Sequence, residues 1–151
     1  MIWIAITVIL IIAWAIFLMK CKGPKLLDDL KVKYWMTLDA LRATGDPMWH
    51  PVLKPAIITG RLNWDKSSGA IGLNVNKGYE IYICLDGDDV NSATYVLLHE
   101  LAHMTVPEYD HSNSFWENFN KLMKIATEKG IYSEVNASKN YCGDVVKSAQ
   151  Q

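Results

Sequence analysis

The sequence predicts an α+β domain, a small antiparallel or mixed sheet with supporting helices, preceded by one transmembrane helix. Three observations carry this. The chain opens on a charge-free apolar stretch, two short segments alternate apolar and polar side chains, and three segments repeat apolar residues at helical spacing. At 151 residues there is material for one domain. The 15 basic and 16 acidic side chains nearly balance, which argues against a non-specific nucleic-acid binder, and no nucleic-acid partner is expected.

Residues 1–19 carry no charge, and Thr7 is their only polar side chain. As a helix rising about 1.5 Å per residue, such a stretch reaches ~28 Å, close to the hydrocarbon thickness of a bilayer. A cleaved signal peptide would begin with a basic region and end in small residues. Here the first basic residue is Lys20, and neither Phe17-Leu18-Met19-Lys20 nor Leu18-Met19-Lys20-Cys21 offers a small-residue cleavage site. Residues 1–20 therefore read as a retained anchor and 21–24 as a short juxtamembrane linker. Lys20, Lys22 and Lys25 follow the span and nothing basic precedes it, so the positive-inside rule places the C-terminal domain on the cytoplasmic side. Cys21, Cys84 and Cys142 are odd in number and widely spaced, which reads as no disulfide framework and agrees with that side. Cys21 is a candidate for palmitoylation, with an unmodified thiol the equal alternative. Asn136-Ala137-Ser138 matches a glycosylation acceptor that matters only on a luminal domain.

The domain itself reads as residues 25–135, with 136–151 a poorly patterned tail. Leu27, Leu30, Tyr34, Leu38 and Leu41 predict an amphipathic helix over 25–43, closed by Thr44-Gly45-Asp46-Pro47. Prolines at 51 and 55 mark an irregular connection. A first strand is expected over 57–62. Ile71, Leu73 and Val75 then share one face of a strand, with Gly72 and Asn74 on the other, and Ile81, Ile83 and Leu85 alternate in the next. Asn76-Lys77-Gly78 joins these two as a tight hairpin turn. After Asp86-Gly87-Asp88-Asp89, Asn91 or Ser92 is a helix cap, and Val90, Thr94, Leu97, Leu101 and Met104 form a stripe opposite Ser92, Val96, His99 and His103. Ser114 to Glu117 reads as the capping box of a last helix through Phe115, Phe119, Leu122, Met123 and Ala126, which Gly130 stops.

The chemistry concentrates at His99-Glu100-Leu101-Ala102-His103. Histidines at i and i+4 present two ring nitrogens from one helix face, with a carboxylate beside them. A hydrolytic zinc site takes three protein ligands and leaves a position for water, so a third ligand is needed. His111 is favoured, since it follows Pro107, which lets the chain turn back. Glu108 competes, Asp110 is weaker, and His50 is the remaining histidine. Glu100 is the candidate general base, and Zn²⁺ the expected cofactor. Tyr109 or Tyr141 could stabilise an oxyanion, although packed tyrosines are the better reading of both. Gly72 and Asn74 would allow an extended substrate to approach a strand edge, against the alternative of a plain solvent-facing edge.

His99-Glu100-Leu101-Ala102-His103 followed by His111-Ser112-Asn113-Ser114-Phe115-Trp116 resembles the H-E-L-x-H…H-x-x-x-F-W signature of the WLM and SprT-like metallopeptidases, over about residues 55–130. The resemblance implies a zincin-like fold, a third zinc ligand at His111, and a Phe-Trp pair opening a helix beneath the site. It also implies a peptidase acting on proteins or peptides, and short anchored versions of the domain are similar to proteins of large DNA viruses. The gap from Met104 to Asp110 is longer than the family's usual one, and Ser112 stands where a glycine is common, which loosens the His111 assignment. The expectation is a single-pass membrane zinc metallopeptidase. The alternatives are a zinc-binding but inactive membrane-tethered interaction module and a non-peptidase hydrolase on the same scaffold.

Overall fold

The computed structural model describes residues 6–12, 14, 24–65, 67, 69–87, 89–134 and 139–146. The expected anchor and linker, with Lys20, Cys21 and Lys22, fall largely outside them, as does the 136–138 tripeptide. Residues 6–12 and 14 are helical and exposed. Among the described residues no helix is long and apolar enough to cross a membrane.

Three helices surround a small mixed sheet. Helix α1 (Lys25–Thr44) starts behind Pro24, whose carbonyl accepts from Leu27 N at 2.9 Å. It ends where Gly45 adopts a left-handed φ of 66° and donates its N–H to Arg42 O. Leu30, Tyr34, Leu38 and Leu41 are its buried stripe, and the Tyr34 hydroxyl accepts from Ala56 N at 2.7 Å, tying the helix to the start of the sheet. Strands β1 (Ile57–Arg61), β2 (Gly72–Val75) and β3 (Glu80–Cys84) run in the order β1-β3-β2, with β1 parallel and β2 antiparallel to β3. This leaves β2 as an edge strand. Strand β1 stops before Leu62 because Asp86 accepts from both Asn63 N and Trp64 N, at 2.6 and 2.8 Å, and pulls the chain away.

Helix α2 (Val90–Ala102) is the centre of the domain. It packs on both α1 and α3 (Asn113–Glu128); Leu97, Leu98 and Leu101 are fully buried, and Val96 and Ser92 are also buried. The helix is thus enclosed on both sides, more than a single leucine stripe implies. Two expected caps shift. Asp89, not Asn91 or Ser92, caps α2 by accepting from Ser92 N at 3.0 Å, and Lys139 pairs with the same carboxylate at 2.9 Å. Ser112, not Ser114, caps α3 by accepting from Phe115 N at 3.2 Å. In both cases an earlier side chain with an acceptor oxygen sits in the extended backbone a cap requires.

The reading of the cysteines is corrected. Cys84 at the end of β3 is bonded to Cys142, in the turn between strands β4 (Lys139–Tyr141) and β5 (Asp144–Val146). This hairpin folds back on the domain, burying Tyr141 and Val146, and the Tyr141 hydroxyl donates to Cys84 O at 2.6 Å. A spacing of 58 residues carries no information about proximity, which the fold alone supplies. Bonded to each other, Cys84 and Cys142 give no support for a reducing compartment, and the lysines alone indicate a side.

Candidate metal centre

The backbone of α2 carries His99 and Glu100 directly, and His103 opens the short 3-10 turn His103–Thr105 that ends the helix. One helical turn separates the two histidines, so their rings face the same way. The chain then runs through Pro107, turns back, and delivers His111 just before α3. Ring nitrogens of His99, His103 and His111 all lie within 4.8 Å of one another, and His99 Nε2 is 2.8 Å from His111 Nε2. The ring centroids form a near-equilateral triangle with sides of 5.1, 4.8 and 4.9 Å.

Phe115 is the floor of that triangle. Fully buried, it touches all three imidazoles, with centroids at 5.0, 4.4 and 4.8 Å. Trp116 stacks on His111 with 28° between planes. An aromatic floor fixes ring orientation without competing for nitrogen lone pairs. Behind the turn, Asn118 donates to Thr105 Oγ1 at 3.0 Å and that hydroxyl donates to Ala102 O, fastening the turn to α3.

The electrostatics suit a cation. Burial, followed by the neighbouring His103 and His111, pushes His99 down to about 3; burial, then His111 and Lys77, pushes His103 down to about 4. Neutral imidazoles with converging lone pairs are the donor set that zinc takes. Glu100 lies beside them, 7% exposed, and burial raises its carboxyl to about 7. All four side chains line one cleft of about 690 Å³, with Gly72, Leu73, Tyr95, Val96, Tyr109 and Trp116 among its other walls.

The competing candidates lie elsewhere. Glu108 accepts from Ser112 Oγ at 2.5 Å, Asp110 is exposed, and His50 sits on an exposed turn after the 3-10 segment Pro47–Trp49. None belongs to the three-histidine group. Tyr141 is committed to Cys84 O, whereas Tyr109 is 74% exposed at the cleft rim with the Lys77 ammonium 4.1 Å from its ring. Helix α2 packs against both Gly72 and Asn74: a Cβ on Gly72 would lie 2.6 Å from Glu100 Oε1 and 2.7 Å from Val96 Cγ1. Asn74 donates to Glu100 O at 2.7 Å, and it is Leu73 that turns outward, 49% exposed.

Comparison with known proteins places this geometry in context. The model of the WLM domain matches residues 63–150, more than half of the chain. An uncharacterized protein of Acanthamoeba polyphaga mimivirus is 40% identical over 81 residues, covering 48% of this chain and 41% of its own length. An uncharacterized protein of Invertebrate iridescent virus 6 is 35% identical over 83 residues, covering 49% and 46%. The chain thus spans less than half the length of these curated relatives. No solved structure matches.

Proposed function

The chain belongs to the WLM domain family, and on that premise we propose that it is a zinc-dependent metallopeptidase held at a membrane by its N-terminal segment. The observation that carries the reading is the convergence of three imidazoles, two of them kept neutral by burial, with a buried carboxylate at one open cleft. His99, His103 and His111 would hold the metal. Zn²⁺ when bound would polarise the scissile carbonyl and bring the pKa of a water toward ~7.

The remaining chemistry belongs to the chain. Glu100 accepts the proton of the attacking water at its carboxylate and returns it to the departing amine; its burial makes the carboxylate a stronger base than an exposed one. Phe115 and Trp116 keep the imidazoles in register, and Phe115 closes the floor against water. Strand β2 supports an extended peptide, since among the described residues its outer edge is unpaired in the three-stranded sheet and Gly72 and Leu73 line the cleft. The charge-free run of residues 1–19, with exposed Ile9, Leu10 and Trp14, supports the membrane tether.

The test is cleavage of an unfolded protein substrate by the zinc-loaded full chain, beside its Glu100→Gln variant. Cleavage by wild type alone supports the peptidase. Zinc bound by both with cleavage by neither would favour the interaction module instead.

A further inference from the structure

The segment between the second and third histidines is organised around one side chain that lies outside it. In the turn between β2 and β3, Asn76, Lys77 and Gly78 all take left-handed backbone, with φ of 50°, 51° and 92°. Asparagine and glycine take that conformation readily in a turn, whereas a lysine does so at a cost that its surroundings must offset. The surroundings here are the end of the metal helix. Asn74 donates to Glu100 O at 2.7 Å and accepts from Gly78 N at 2.6 Å. Gly78 is pressed so close to Met104 that a Cβ would lie 2.2 Å from its Cε.

This docking delivers the Lys77 ammonium to a point where three carbonyls converge. It donates to His103 O at 3.2 Å, to Val106 O at 3.0 Å and to Glu108 O. An ammonium has three donors and no acceptor, so the three carbonyls use its full capacity. The Tyr109 ring covers the same ammonium. Three carbonyl dipoles aimed at one point repel one another unless a cation lies between them, and the end of a helix adds its own negative potential. Without the ammonium, the path from 103 to 108 loses the reason for its curvature. One of those carbonyls belongs to His103 itself, and Glu108 stands three residues before His111.

We infer that Lys77 is a positioning residue for the metal centre: by gathering the carbonyls of residues 103, 106 and 108 it sets the spacing of His103 and His111. The inference rests on the reading of the three histidines as a metal site. It also accounts for how the long segment from Met104 to Asp110 still returns a histidine to the triangle.

The test is a titration of the 151-residue chain in detergent with Co²⁺ and Zn²⁺ against a competing chelator, comparing wild type with Lys77→Met, which keeps the aliphatic stem. The variant is expected to bind metal more weakly by roughly 10–100-fold, the range for groups that orient ligands, and to show an altered visible absorption of bound Co²⁺. Thermal unfolding of the metal-free proteins is measured alongside, with all titrations run below both transitions. A residue that merely stabilises the fold would lower the transition and leave the cobalt spectrum and affinity at wild-type values; that result overturns the inference. If Lys77→Met does not fold, Lys77→Gln, with no charge and two donors, replaces it under the same criteria. Wild type that takes up neither ion would overturn the metal site and this inference with it, whereas metal-competent wild type matched by the variant overturns the inference alone.

Discussion

Replacing Glu100 by Gln should make the metal-free protein more stable while abolishing the proposed chemistry. Burial raises the carboxyl from its ordinary 4.5 to about 7. Between those values the folded state keeps a proton that the unfolded chain has released, so stability falls as pH rises, and the loss is complete above the folded value. At roughly 1.4 kcal/mol per pH unit, the gap comes to about 3 kcal/mol. Glutamine has nearly the same shape and does not ionise, so it escapes this cost. Urea unfolding in the presence of a chelator should therefore show Glu100→Gln more stable by about 3 kcal/mol near pH 8 and equal to wild type near pH 4. A variant no more stable near pH 8, or an advantage that persists unchanged near pH 4, would refute the argument that burial of an ionisable group strains this site.

Two further outcomes follow from contacts around the same helix. Gly72→Ala places a Cβ against Glu100 and Val96; it should cost about 1–3 kcal/mol of stability and lower turnover by around 100-fold through displacement of the carboxylate, with bound zinc unchanged by elemental analysis. Unchanged turnover would mean that Glu100 is not held where the proton transfer needs it. Cys142→Ser opens a cross-link between positions 58 residues apart, which should lower unfolding free energy by about 4 kcal/mol on the loop-entropy model. Wild type treated with a dithiol reductant should then match the variant, and three proteins of equal stability would show that the Cys84–Cys142 bond contributes nothing.

Much of the fold was legible because periodicity reports burial. The α1 stripe of Leu30, Tyr34, Leu38 and Leu41 is buried in the core, and the positions of β2, β3 and the histidine helix follow from two- and 3.6-residue repeats. The paired histidines were legible because i, i+4 spacing is a geometric statement. What escaped was information that lies between elements. Glycine and asparagine on a strand face read as room for a substrate or as a plain solvent-facing edge, yet Gly72 also leaves the space that Glu100 fills, and Asn74 supplies the donor that the helix end needs. Lys77 reads only as one residue of a hairpin turn, and its three carbonyl partners come from residues 26 to 31 positions away. The Cys84–Cys142 pairing was hidden for the same reason. The shifts of cap to Asp89 and Ser112 are smaller, and arise where several capping residues stand side by side.

The central claim is that His99, His103 and His111 hold one zinc ion. It is tested most directly by the zinc content of the purified full chain beside His111→Ala and Glu108→Ala, measured after dialysis against metal-free buffer. About one zinc per chain is expected in wild type and in Glu108→Ala, and severe loss in His111→Ala. Zinc near zero in wild type, or zinc retained in full by His111→Ala, would contradict it.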